Sequence, residues 1–133
     1  MSNKGSCLCG EVKFEVEGNF EKLFFCHCTR CQKNTGSAHC ANLFSGSASI
    51  NWISGKEQVK TYHLPETRHA KSFCVNCGSA MPTEVAGGKM IVVPAGCLDD
   101  DVTIQANGHI FMDDKASWES LLEETPKFSK LPG

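Results

Sequence analysis

Cysteine is the residue through which this sequence can do chemistry. There are nine cysteines in 133 residues, and seven of them fall in three tight clusters. These are Cys7-Leu8-Cys9-Gly10, Cys26-His27-Cys28-Thr29-Arg30-Cys31 and Cys74-Val75-Asn76-Cys77-Gly78. A C-x-C or C-x-x-C step turns two sulfurs toward one point, and a zinc ion needs several thiolates within about 2.3 Å of itself. The glycines after Cys9 and Cys77 suit such turns, because glycine accepts positive φ without a steric penalty. The seven sulfurs divide simply into four and three. Joining the first and third clusters gives Cys7, Cys9, Cys74 and Cys77, a closed tetrahedral set of the structural kind. Since 65 positions separate Cys9 from Cys74, such an ion would close a long loop. The second cluster then supplies Cys26, Cys28 and Cys31 and leaves one coordination position for water or substrate, which is the pattern of a catalytic zinc. Two other readings of the same residues stay open. The clusters can be unmetallated thiols, buried or paired for redox chemistry, or Cys7, Cys9, Cys26 and Cys28 can share one ion, which splits the second cluster.

The remaining candidates are weaker. Cys40 and Cys97 stand alone and read as small buried hydrophobes. Cys40 follows Cys31 by nine residues and so can lie near the open site. Cys97 has Asp99, Asp100 and Asp101 close by, which oppose thiolate formation, so it is not expected to be a nucleophile. His27 sits between two ligands, with its side chain expected to point away from their metal in a supporting role. His39, His63, His69 and His109 are scattered and are expected to be surface or structural histidines.

These side chains must be positioned by short strands. Val12, Phe14 and Val16 alternate with Lys13, Glu15 and Glu17, which predicts a half-buried strand over Glu11 to Glu17. Lys22 to Phe25 delivers the chain to Cys26, and Thr29 to Asn34 suits a single helical turn stopped near Gly36. Further strands are expected at 41–44, 48–53, 58–64 and 70–73, separated by Ser-Gly turns, then at 89–93 and around Ile110-Phe111. Trp118, Leu121 and Leu122 have helical spacing, with Asp113 or Asp114 as the cap. The expectation is a mainly β fold with one or two short helices, forming a single zinc-binding domain over residues 1–133.

Composition excludes several classes. The formal net charge is −2, without the basic surplus of a nucleic-acid-binding protein. The longest apolar run, Met90 to Val93, is too short to span a bilayer, so no membrane partner is expected. Met1 to Gly5 lacks the apolar stretch of a signal peptide, and the cysteine count is odd. Both point to a reducing compartment, the cytoplasm, where clustered cysteines become metal ligands rather than disulfides.

Longer segments carry a family resemblance. Gly5-Ser6-Cys7-Leu8-Cys9-Gly10-Glu11-Val12, Cys26-His27-Cys28-Thr29-Arg30-Cys31-Gln32-Lys33 and Phe73-Cys74-Val75-Asn76-Cys77-Gly78-Ser79 are similar to the three signatures of the glutathione-dependent formaldehyde-activating and centromere protein V family. Pro94 to Asp100, His109-Ile110-Phe111 and Lys115 to Trp118 resemble its downstream segments. The resemblance implies a small zinc-binding, zinc-ribbon-like β fold of the Mss4-like group. It implies a structural Zn²⁺ at Cys7, Cys9, Cys74 and Cys77, and a second, labile or catalytic Zn²⁺ at Cys26, Cys28 and Cys31. The implied activity is condensation of glutathione, as cosubstrate, with formaldehyde, formally a carbon–sulfur lyase reaction. The expected partners are therefore a small-molecule thiol and a small carbonyl. Arg30 and Lys33 flank the second cluster and can bind the carboxylates of glutathione, or be ordinary solvated charges. Two alternative functions remain: a non-catalytic zinc- or thiol-binding module or carrier, and a thiol redox enzyme, for which only Cys40 and Cys97 lie outside the expected zinc sites.

Overall fold

The structure is a computed structural model that describes residues 2–120 and 122–133. In chain order its strands and helix are β1 (Ser2–Ser6), β2 (Lys13–Glu17), β3 (Lys22–Cys26), α1 (Thr29–Thr35), β4 (Cys40–Ser45), β5 (Ser49–Ser54), β6 (Val59–His63), β7 (Ala70–Cys74), β8 (Ala80–Met81), β9 (Thr83–Val85), β10 (Met90–Pro94) and β11 (Gly108–Ile110). They form three sheets, ordered β1-β2-β5, β11-β3-β4-β10-β9 and β6-β7-β8. All neighbours are antiparallel except β11, which runs parallel to β3. The fold is mainly β, as expected, with one α-helix among the described residues. Among the described residues, no helix is long and apolar enough to cross a membrane.

The alternation in β2 does what a period of two predicts. Val12, Phe14 and Val16 are fully buried, and they join Leu23, Leu43, Met81, Ile91 and Val93 in the core. Cys7, Cys74 and Cys97 belong to the same cluster, so the core and the first cysteine set are one packed unit. The strand β1 gives no apolar signal in sequence, and tertiary contacts hold it instead. A Cβ on Gly5 would stand 2.2 Å from the Phe14 ring and 2.6 Å from the Cys97 carbonyl, so only glycine lets β1 lie this close. Asp99 and Asp100 fasten it from the far side: Ser6 Oγ donates to Asp99 Oδ2 at 2.7 Å, and Lys4 N to Asp100 Oδ2 at 2.7 Å.

The helical expectation near the end of the chain is corrected. Residues Met112–Asp114, Ser117–Glu119 and Leu122–Glu124 form separate 3₁₀ turns. Asp113 and Asp114 lie inside the first of these rather than capping a helix, and Trp118 is 65 % exposed. Leu121, part of the expected apolar stripe, lies outside the described residues. Of the described stripe residues, Trp118 and Leu122 are exposed, and polar contacts tie the segment down instead. Gln32 Nε2 donates both to the His27 carbonyl at 2.8 Å and to the Asp114 carbonyl at 2.9 Å, which ties these turns to α1.

Candidate functional site

The first and third clusters meet. Cys7, Cys9, Cys74 and Cys77 place their sulfurs within 4.8 Å of one another. Cys7 and Cys9 are 3.5 Å apart and Cys9 and Cys74 3.9 Å, close to the ~3.8 Å spacing of sulfurs on a tetrahedral zinc. Two similar turns build the set. The Gly10 N–H donates to the Cys7 carbonyl and the Gly78 N–H to the Cys74 carbonyl, and both glycines have positive φ, at 83° and 79°. Ser79 joins the halves: its Oγ accepts from Leu8 N at 2.8 Å and lies 3.2 Å from Cys77 Sγ. That hydroxyl, followed by the backbone N–H groups of Ser79 and Cys9, holds the Cys77 thiol down to about 5. The Val12 N–H likewise reaches Cys7 Sγ at 3.2 Å. Donors directed at sulfur favour thiolates, so this donor set fits zinc.

The second cluster lies where β3 turns into α1. Cys26, Cys28 and Cys31 converge within the same 4.8 Å limit. Cys28 is the N-cap of α1, and its sulfur accepts from Cys31 N at 3.4 Å, so one residue serves the cluster and the helix together. The helix ends on Gly36 in the left-handed conformation, as its sequence predicts. Burial pushes the Cys26 thiol up to about 12. The Cys31 thiol is also raised, first by its hydrogen bond to Cys40 and then by burial. The same hydrogen bond lowers Cys40. Cys40 is therefore a neighbour of this cluster, because it stands opposite Cys26 in the β3–β4 register. Three sulfurs from one turn, with a fourth thiol beside them, fit a metal with one position left to another ligand.

A cavity of about 200 Å³ opens against this cluster. Cys31, Cys40, Arg68, His69 and Lys71 are among its lining residues. Lys71 Nζ donates to the Asn34 carbonyl, which fixes the ammonium near the cavity. Arg30 and Lys33 are exposed on α1, and neither lines this space. Burial and the nearby Arg30 charge lower His69, which keeps the imidazole neutral at physiological pH. Arg68 and Lys71 escape sequence reasoning because β7 and the turn before it bring them to the cluster from about forty residues away. Cys97 is buried, as expected, and desolvation raises its thiol to about 12, with Asp99 opposing ionisation further.

The histidines are less scattered than their spacing suggests. His27 is 1 % exposed, and its Nε2 lies 2.8 Å from His109 Nδ1. Its Nδ1 lies 2.8 Å from Glu119 Oε1. The His39 ring centre is 5.0 Å from that of His27. Strand β11 places His109 by pairing alongside β3, and His27 N completes the ladder by donating to the Ile110 carbonyl at 2.9 Å. His63 and His69 lie elsewhere, His63 exposed and His69 bonded to Asn34.

A mainly β protein with two converging cysteine sets is the class that fold and site define. Residues 2–114 match the pattern of the family described as glutathione-dependent formaldehyde-activating enzyme, and the chain belongs to that family. It is 30% identical over 128 residues to a Halomonas elongata protein provisionally named a glutathione-dependent formaldehyde-activating enzyme. That alignment covers 89% of this chain and 80% of the relative. In fold it is similar to a Rhodobacter sphaeroides protein known from a crystal structure. The TM-score is 0.59 at 21% identity, over 80% of this chain and 98% of that one.

Proposed function

We propose that this protein catalyses addition of the glutathione thiol to formaldehyde, or to a related small carbonyl, at the cavity beside Cys26, Cys28 and Cys31. The observation that carries the reading is the meeting of an incomplete three-sulfur set with a cavity edged by Arg68 and Lys71. Family membership supplies the glutathione and formaldehyde. In the reaction the thiol sulfur forms a bond to the carbonyl carbon, and the thiol proton ends on the carbonyl oxygen. The reverse is a carbon–sulfur lyase step. Zinc, when bound by Cys26, Cys28 and Cys31, supplies a centre that keeps an incoming thiol in its nucleophilic form. The chain's own residues do the rest. Lys71 and Arg68 attract the carboxylates of glutathione. The cavity is smaller than the roughly 300–1,000 Å³ of a pocket that encloses a whole ligand. It therefore takes the thiol end and the small carbonyl, with the peptide lying across its mouth. Holding the two reactants together converts a bimolecular encounter into a local one. Arg30, whose charge acts on His69, and Lys33 are exposed on α1, where they add positive charge. The first cysteine set, in this reading, holds a structural zinc. We place the protein in the cytoplasm, where glutathione is abundant.

The test is turnover with glutathione and formaldehyde, with the uncatalysed addition subtracted because thiols add to formaldehyde unaided. Acceleration above background is expected. Its absence, with intact metal content, would leave a non-catalytic thiol-binding module. The position of Cys40 beside Cys31 on the same cavity favours one second reading, a redox pair. Formation of a Cys31–Cys40 disulfide under mild oxidation, coupled to reduction of a substrate, would support it.

A further inference from the structure

We propose that His27, His39 and Glu119 form a further metal site, distinct from both cysteine sets, for a divalent transition ion that takes nitrogen and oxygen ligands, with Zn²⁺ as the ion to test. One ring nitrogen each of His27 and His39 and a Glu119 carboxylate oxygen lie within 4.8 Å of one another, with His27 Nδ1 2.8 Å from Glu119 Oε1. Two imidazoles and one carboxylate with a free fourth position are an established zinc donor set in proteins generally.

The strongest observation is what these atoms lack. His27 Nδ1, His39 Nδ1 and Glu119 Oε1 are all buried, and none has a hydrogen-bond partner. His27 Nδ1 and Glu119 Oε1 stand 2.8 Å apart, with side chains only 2 % and 9 % exposed, yet they are not aligned as donor and acceptor. Leaving buried polar atoms unsatisfied costs the full desolvation of each group. Three that converge are explained together if their lone pairs face one cation. Two ligands on a zinc with bonds of about 2.0–2.1 Å stand roughly 3.4 Å apart. The His27–Glu119 pair needs to open by only about half an ångström to reach that spacing.

The surroundings agree. With Nδ1 ligating, His27 carries its proton on Nε2 and donates it to His109 Nδ1 at 2.8 Å, the second hydrogen bond that metal-bound histidines usually make. His109 is thus a positioning residue. The His27, His39 and His109 rings pack closely, with Phe25 5.0 Å from both His39 and His109, so the ligands are held on one side by an apolar wall. Neutral imidazoles and one carboxylate carry a charge of −1, which a divalent ion compensates. Because His27 lies between Cys26 and Cys28, an ion here would also stiffen the turn that presents the second cysteine set.

The experiment measures metal content. The whole protein is incubated with Zn²⁺, freed of loose ion by gel filtration and analysed for zinc per chain. His39→Ala and Glu119→Gln are treated alike, since both lie outside the cysteine turns. Wild type is expected to retain one more equivalent than either variant. Loading with Co²⁺ separates the sites: the sulfur-to-cobalt absorption of the cysteine sets should be the same in all three proteins. Equal zinc content in wild type and both variants would overturn the proposal. So would a missing equivalent accompanied by loss of the sulfur-to-cobalt absorption, which would place the loss at the cysteines.

Discussion

The two cysteine sets solve different problems with the same side chain. Cys7, Cys9, Cys74 and Cys77 come from two distant turns; Cys7 and Cys74 lie in the hydrophobic core, Cys9 is exposed, and Cys7 and Cys77 receive hydrogen bonds at sulfur. Cys26, Cys28 and Cys31 come from a single turn at the start of a seven-residue helix, and burial holds Cys26 protonated. One set joins two parts of the chain that lie 65 positions apart. The other is complete within six residues and contributes little that β3 and α1 do not already provide. In the proposed reading, cysteine ligation is a folding device where its members are far apart in sequence and a chemical device where they are near.

The largest expected effect breaks the first set. Cys74 is fully buried, and Cys74→Ser removes a ligand from the core. Binding at a structural zinc contributes on the order of 10 kcal/mol, comparable to the whole stability of a domain. The variant should lose its zinc and its cooperative thermal transition together, seen by metal analysis and melting. An unchanged melting temperature would remove the distinction between the sets. Next comes Cys28→Ser. Serine is a good N-cap, so α1 keeps its first hydrogen bond. Melting should stay near wild type and the first zinc should remain, while glutathione-dependent turnover falls to background. Full activity in this variant would refute the catalytic role of the second set.

A smaller effect is expected from Lys71→Ala. One charge-assisted contact at a half-exposed mouth is worth about 1 kcal/mol, or roughly a five-fold rise in KM for glutathione with kcat little changed. A fall in kcat alone would mean that Lys71 acts on the reacting atoms instead. The smallest effect compares the two lone cysteines. With its thiol raised to about 12, Cys97 is protonated at every pH below that value and should react with an alkylating reagent only as pH climbs toward it. Cys40, which is lowered, should be modified first at pH 8. Mass spectrometry of partly labelled protein reads the order, and earlier labelling of Cys97 would reverse the assignment.

Much of this was legible where a signal is local. Val12, Phe14 and Val16 announce β2 by alternation, Gly36 announces the end of α1, and the glycines after Cys9 and Cys77 mark the turns that carry ligands. The four-and-three division of the clusters is one of the readings that spacing and valence allow, and the structure brings the sulfurs together in those two groups. What stayed hidden depends on pairing across distance. The polar β1 is a strand because Gly5 fits over Phe14 and Asp99 and Asp100 hold its backbone and Ser6. Strands β8 and β9, of two and three residues, are too short to show a period. Cys40 reaches the second set through register, not proximity in sequence. His27 and His109 are 82 residues apart, and only the parallel pairing of β11 with β3 brings them together. The expected C-terminal helix failed for the converse reason: its local periodicity was real, but Glu119 turned toward His27 and no apolar surface received Trp118.

The span of the four-cysteine set also has a consequence in time. Cys9 and Cys74 are separated by 65 positions, and ribosomes add about 5–20 residues per second. The first two thiols therefore emerge about 3–13 s before their partners exist. The second set is complete as soon as Cys31 is made. On the proposed function, the chain can during synthesis hold an ion at the set assigned to chemistry before it can hold one at the set assigned to stability. Cys7 and Cys9 spend that interval as an unprotected dithiol, dependent on the reducing power of their surroundings until the second half of the chain arrives.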